Sequence, residues 1–66
     1  MTITVNGKEE QTEDGLTIIA LLDLLQLDAS RVAVERNREI VAREDFAHTA
    51  LEHQDVIELV QFVGGG

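Results

Sequence analysis

No cysteine occurs in the 66 residues. That excludes a disulfide staple, a thiolate zinc site and a cysteine-ligated iron–sulfur cluster, and it leaves the redox compartment unreadable. Positive charge is scarce: five Lys and Arg stand against 13 Asp and Glu, for a formal charge of −8. Such a field repels phosphate backbones and anionic lipid, so nucleic acid is excluded as a partner. The same excess favours encounter with a basic enzyme surface, although solubility alone accounts for many small acidic proteins. Long apolar runs are missing as well. Polar residues follow Met1 at once, and nothing approaches the roughly 18 residues of a spanning helix. The expectation is neither signal peptide nor membrane anchor, and a cytoplasmic location. His48 and His53 lack a second ligand pair beside them, which argues against a metal site and for exposed polar loop.

So short a chain makes one domain, and it withdraws only about 60% of its unfolded surface from water. Met1 to Val5 alternates Ile3 and Val5 with Thr2 and Thr4, the pattern of a strand with one apolar face. Asn6-Gly7 supplies the two positive-φ residues of a type I′ hairpin turn. The returning segment, Lys8 to Thr12, is almost wholly polar and suits an exposed edge strand. Thr17 is placed to cap a helix over Ile18 to about Gln26, with Leu16 and Leu21 at hydrophobic-staple positions. Ile18, Leu21, Leu22 and Leu25 recur at helical spacing, so one face should cover a sheet.

Val32 to Val34 gives a third strand, and Asn37-Arg38 turns the chain into Glu39 to Ala42. Arg43 to Asp55 is less regular, a loop with a short helical turn anchored by Phe46 and Leu51. Val56 to Val63 is the last strand, with Ile57, Leu59 and Val63 on one face and Val56, Glu58, Val60 and Phe62 on the other. A hairpin, a helix, a second strand pair and a final strand fit a mixed sheet of four to five strands under one main helix. A right-handed crossover would set the first and last strands parallel at its centre. This is an α+β class, the β-grasp or ubiquitin-like arrangement, with a domain over 1–63 and a flexible glycine tail over 64–66.

Gly64, Gly65 and Gly66 carry no side chain, so their backbone fits a channel too narrow for any Cβ. Extended, three residues reach about 10 Å, far enough to put a terminal carboxylate inside another protein's active site. A bare flexible terminus is the competing reading. What weighs against it is the whole chain. Ile3-Thr4-Val5-Asn6-Gly7, Thr17-Ile18-Ile19-Ala20-Leu21-Leu22, Val32-Ala33-Val34-Glu35-Arg36-Asn37 with Ile40-Val41, and Asp55 through Gly66 occur in this order and spacing. Together they resemble the ThiS family, the sulfur carriers of thiamine biosynthesis. The sequence departs from the family pattern at Ala42-Arg43, where a proline often precedes the arginine, and at Gln54-Asp55, where a glycine often precedes the aspartate.

The resemblance implies a protein co-substrate and not an enzyme. A ThiF-like adenylyltransferase, using ATP and Mg, would convert the Gly66 carboxylate to an acyl adenylate. Sulfur traced to a cysteine desulfurase would then leave a thiocarboxylate for a ThiG-like thiazole synthase. Nothing in this scheme requires a bound cofactor or metal on the carrier. The adjacent acids Glu9-Glu10, Glu13-Asp14 and Glu44-Asp45 read as solvated surface and not as acid/base pairs. Val60 and Phe62 share the strand face just before the glycines and are read, with Gly64 and Gly65, as a docking surface; core packing of Phe62 is the competing reading. A MoaD-like small subunit of molybdopterin synthase has the same fold, tail and activation chemistry, but the Val-Ala-Val-Glu-Arg-Asn run and the short length favour the thiamine branch. A ubiquitin-like covalent modifier and a noncovalent adaptor are the readings from other classes.

Overall fold

The computed structural model describes residues 1–63. The expected tail at 64–66 and its three glycines lie outside the described residues. Five strands form one mixed sheet: β1 (Thr2–Val5), β2 (Lys8–Gln11), β3 (Val32–Arg36), β4 (Glu39–Val41) and β5 (Val56–Gln61), in the order β2-β1-β5-β3-β4. β1 and β5 run parallel at the centre, joined by the Thr4 amide to the Asp55 carbonyl and the Asn6 amide to the Ile57 carbonyl, both at 2.9 Å. One helix, α1 (Ile18–Leu24), covers one face. This is the β-grasp arrangement, with β2 and β4 at the two edges. β2 is mostly exposed, and its polar side chains blunt that edge against pairing with other chains.

The core lies between α1 and the inward residues of the sheet. Ile18, Leu21 and Leu22 of α1 meet Ile3, Val5, Val32, Val34 and Ile57, with Leu16, Phe46 and Leu51 closing the sides. Phe46 and Leu51 are thus the anchors expected of their irregular segment, which contains a 3-10 turn at Arg43–Asp45. That segment also serves the helix. The first amides of a helix have no partner inside it. Here Ile18 donates to the Thr49 carbonyl, Ile19 to the Phe46 carbonyl and Ala20 to the Thr17 hydroxyl at 3.2 Å.

α1 ends two residues short of the expected Gln26, because Gln26 takes a left-handed conformation, φ 59°. Its amide bonds Asp23 and the next amide, Leu27, reaches back to Leu22, which closes the last turn in the double-bond pattern usually built on glycine. The turn carries Leu25 off the buried stripe and leaves it 40% exposed, while Leu27 packs against the core. β1 and β5 are also one and two residues shorter than the sequence pattern indicates, and β3 runs on to Arg36.

Candidate functional site: the exit of the last strand

Both hairpins turn on asparagine. Asn6 and Asn37 each have φ 50°, a conformation their short carboxamides tolerate, and Gly7 follows at φ 82° and Arg38 at φ 72°. These are the two positive-φ residues of a type I′ turn in both cases. The freed carboxamides do a second job, since each bonds the backbone of β5. Asn6 accepts from the Leu59 amide at 2.7 Å and donates to its carbonyl at 3.2 Å. Asn37 accepts from the Val56 amide at 2.9 Å. β5 is therefore clamped from both sides.

Its entrance carries a further network. The buried Asp55 carboxylate accepts from Arg36 Nε at 2.8 Å, from Asn37 Nδ2 at 3.0 Å and from the Glu52 amide at 2.8 Å. Burial alone would raise the Asp55 pKa. The Glu52 amide, the Asn37 carboxamide and the Arg36 guanidinium outweigh it and hold the carboxyl below its ordinary value. Among the described side chains no buried polar atom is left without a partner. Asn37 was legible as a turn residue, whereas Arg36 and Asp55 entered as parts of the family resemblance. Their joint role depends on contacts 18 and 19 residues apart, which no local period reports.

The exit is different. Past Leu59 the strand outruns β1, and its last described bond to β3's side is from the Phe62 amide to the Arg31 carbonyl at 2.7 Å. Alternation sends Val56, Glu58, Val60 and Phe62 to the face that α1 does not cover. Val60 is 59% and Phe62 52% exposed, and Val63 stands almost fully in solvent. The core reading of Phe62 thus gives way to an exposed one. The described chain ends here, at an apolar patch. Gly64, Gly65 and Gly66, the remaining expected site residues, lie beyond the described residues.

The other sequence candidates do not gather into a site. Glu9 and Glu10 point to opposite faces of β2, and Glu13, Asp14, Glu44 and Asp45 are exposed. His53 Nδ1 accepts the Thr2 amide at 3.0 Å, which ties the loop to β1. Among the described residues no group of three His, Cys, Asp or Glu is disposed to hold a metal, and no helix is long and apolar enough to cross a membrane. An open groove of about 340 Å³ lies on the helix side, between Leu25 and Leu27 and the seam of Val5 with Leu59. Its one ionisable side chain is Glu10, so it offers no catalytic pair.

Known proteins of this shape and sequence agree on a family. The ThiS family model matches residues 2–66. The sulfur carrier protein ThiS of Bacillus subtilis is 45% identical over 65 residues, covering 97% of this chain and 98% of that protein. A crystal structure of the thiamine biosynthesis protein ThiS from Geobacter metallireducens superposes with a TM-score of 0.85 at 38% identity, over 100% of both chains. A thiazole synthase of Paramagnetospirillum magneticum is 42% identical over 66 residues, and there this whole chain spans 20% of the longer protein. The chain belongs to the ThiS family of sulfur carrier proteins.

Proposed function

We propose that this protein carries sulfur for thiamine biosynthesis on the C-terminal carboxylate of Gly66, as a co-substrate with no catalytic group of its own. The observation that carries the proposal is the exit of β5: a strand held rigidly at its entrance ends beside an exposed apolar patch and runs directly into Gly64-Gly65-Gly66. A rigid body aims the terminus, and glycines fit where a Cβ would not.

The chemistry follows from what a carboxylate is. With a reference pKa of about 3.3–3.7 it is an anion at neutral pH, a competent nucleophile but a poor acylating agent. A ThiF-like adenylyltransferase, with its own ATP and Mg, would let a Gly66 oxygen attack the α-phosphate. The new O–P bond expels pyrophosphate and leaves a mixed anhydride. A sulfur nucleophile derived from a cysteine desulfurase then adds to the carbonyl carbon. AMP departs with the electron pair of the C–O bond and leaves an acyl disulfide to the donor. A second thiol then attacks the donor's sulfur, forming a new disulfide with it, and the S–S electron pair leaves with the thiocarboxylate. A ThiG-like thiazole synthase is the acceptor. Support for that partner comes from the relatives in which a domain like this one spans 20% of a protein named thiazole synthase. Val60 and Phe62, with Gly64 and Gly65, would form the contact nearest the reacting carbonyl.

The test is carrier-dependent exchange of labelled pyrophosphate into ATP by a ThiF-like enzyme. The expected result is exchange with the full chain and none with a chain lacking Gly65 and Gly66. Exchange only with the molybdopterin-branch counterpart of that enzyme would move the protein to the MoaD-like reading. Larger lysine-linked conjugates in cell extract would move it to the covalent modifiers.

A further inference from the structure

β1 stops pairing before β5 does. The direct partners are Thr4 with Val56 and Val5 with Ile57, after which Asn6-Gly7 turns the chain away into β2. On the other flank β3 goes on pairing, as far as Val32 with Gln61. The last part of β5 would thus be held from one side alone. Asn6 changes this at Leu59. Its carboxamide carries the donor and the acceptor of a peptide group, accepting from the Leu59 amide at 2.7 Å and donating to the Leu59 carbonyl at 3.2 Å. The Asn6 amide already bonds the Ile57 carbonyl at 2.9 Å. Backbone and side chain of one residue therefore continue the ladder from Ile57 to Leu59, past the point where β1 has ended.

The turn does not require this. Positive φ at the Asn6 position is met by glycine without strain and by aspartate much as by asparagine. Of the three, only asparagine offers a donor and an acceptor side by side. The paired bond to Leu59 is thus what this side chain adds beyond the turn. Asn37 stands at the same turn position with the same φ of 50°, and its carboxamide is spent on Val56 and Asp55 at the entrance. Two like residues in like turns hold opposite ends of one strand.

We infer that Asn6 is a positioning residue for the terminal carboxylate: by fixing β5 at Leu59 it sets the point and direction from which Gly66 is delivered to the adenylating enzyme. The inference rests on the sulfur-carrier reading. Glycine has no preferred direction of its own, so the tail takes its aim from the strand it continues. Only Val60 to Val63 separate the clamp from Gly64. Without the clamp, β5 beyond Ile57 hinges on its β3 ladder, and every residue set loose must be ordered again before the carboxylate meets the α-phosphate. Pairing with β3 remains, so the body still binds; what is lost is precision at the reacting atom.

Asn6→Gly tests this in the pyrophosphate-exchange assay with a ThiF-like enzyme, at a temperature where circular dichroism shows the variant fully folded. The expected result is a kcat lowered at least about tenfold, the scale of ordering one more residue, with the KM for the carrier within about twofold. Hydrogen exchange of the Leu59 amide should quicken, while the Val56 amide, held by Asn37, stays slow. Asn6→Asp keeps the turn and the acceptor for the Leu59 amide but sets a second acceptor against the Leu59 carbonyl. Its kcat should fall too, and it decides the matter if Asn6→Gly does not fold. Asn37→Gly makes the same change at the entrance, and it should lower the melting temperature while leaving the kcat of the folded protein unchanged. An equal loss of kcat in Asn37→Gly would reduce Asn6 to a merely structural role. An unchanged kcat in the Asn6 variants, or a raised KM alone, with normal exchange by the unmodified chain, would overturn the positioning role and leave the carrier reading standing. No exchange by the unmodified chain would overturn both.

Discussion

The two ends of β5 are built for opposite purposes. At the entrance, Asp55 is buried and accepts three hydrogen bonds, and Asn37 holds the Val56 amide. At the exit, the backbone of Leu59 is still held by Asn6, but Val60, Phe62 and Val63 are exposed and the strand has outrun β1. Rigidity at one end and availability at the other suit a domain whose work is to present its terminus to other proteins. On the proposed reading, stability and function are separated along six residues of one strand, Val56–Gln61, and its flanks.

The largest effect that separates the ends is Asp55→Ala. It leaves the Arg36 guanidinium and the Asn37 carboxamide without their shared acceptor, and unfolding free energy should fall by about 3 kcal/mol. Urea denaturation measures it. Activation at saturating enzyme and low temperature should persist in whatever fraction remains folded, because no reacting group has been touched.

Acid should find the same end of the strand. The folded pKa of Asp55 is depressed, so its contribution to stability is complete above the unfolded carboxylate value of about 3.9. That contribution is lost as pH falls through the lower folded value. Asp28 also titrates low, through the Ser30 hydroxyl and amide, and adds to the slope. The part owed to Asp55 is the difference between the pH profiles of the unmodified protein and D55N. That difference should shrink below pH of about 4.

Phe62→Ala should do the reverse of Asp55→Ala. A ring already 52% exposed has little burial to lose, so stability should drop by no more than about 1 kcal/mol. Affinity for the adenylating enzyme should fall instead, read as a raised KM. A large drop in melting temperature with unchanged KM would place Phe62 with the core and erase the contrast.

The smallest effect concerns strain before the entrance. Gln54 adopts φ 72°, where a glycine has no Cβ conflict. Relief of that conflict is partly offset by the greater freedom of glycine in the unfolded chain, so Gln54→Gly should gain about 0.5 kcal/mol. Calorimetry resolves such a gain as a small rise in melting temperature.

Most of the fold could be read along the chain because its signals are local. The Asn6-Gly7 turn, the Thr17 cap and the 3.6-residue spacing of Ile18, Leu21 and Leu22 are each decided by neighbours, and all occur as expected. Gln26 escaped because a left-handed glutamine has no compositional mark; the two backbone bonds that stabilise it form only when the helix exists. Gln54 shows the same thing from the other side. The family pattern puts glycine there often, and the backbone keeps the glycine-like φ although the residue has changed.

The site was legible in a different measure. Alternation grouped Val60 with Phe62, but β5 is apolar on both faces, so pattern alone could not say which face α1 covers. Packing decides it, with Ile57 fully buried and Val56 and Val60 exposed. The proposed reactive group has no side chain, so residue chemistry could not single it out, and the resemblance to sulfur carriers was what directed attention to Gly66.

The Gly66 carboxylate is the proposed sulfur-bearing group. Incubating the protein with a ThiF-like enzyme, ATP, a cysteine desulfurase and cysteine, followed by intact mass spectrometry and fragmentation, tests it directly. The expected result is a gain equal to one oxygen replaced by sulfur, confined to the C-terminal fragment. An unchanged mass while the Bacillus subtilis carrier is converted in the same mixture, or sulfur found anywhere else in the chain, would contradict it.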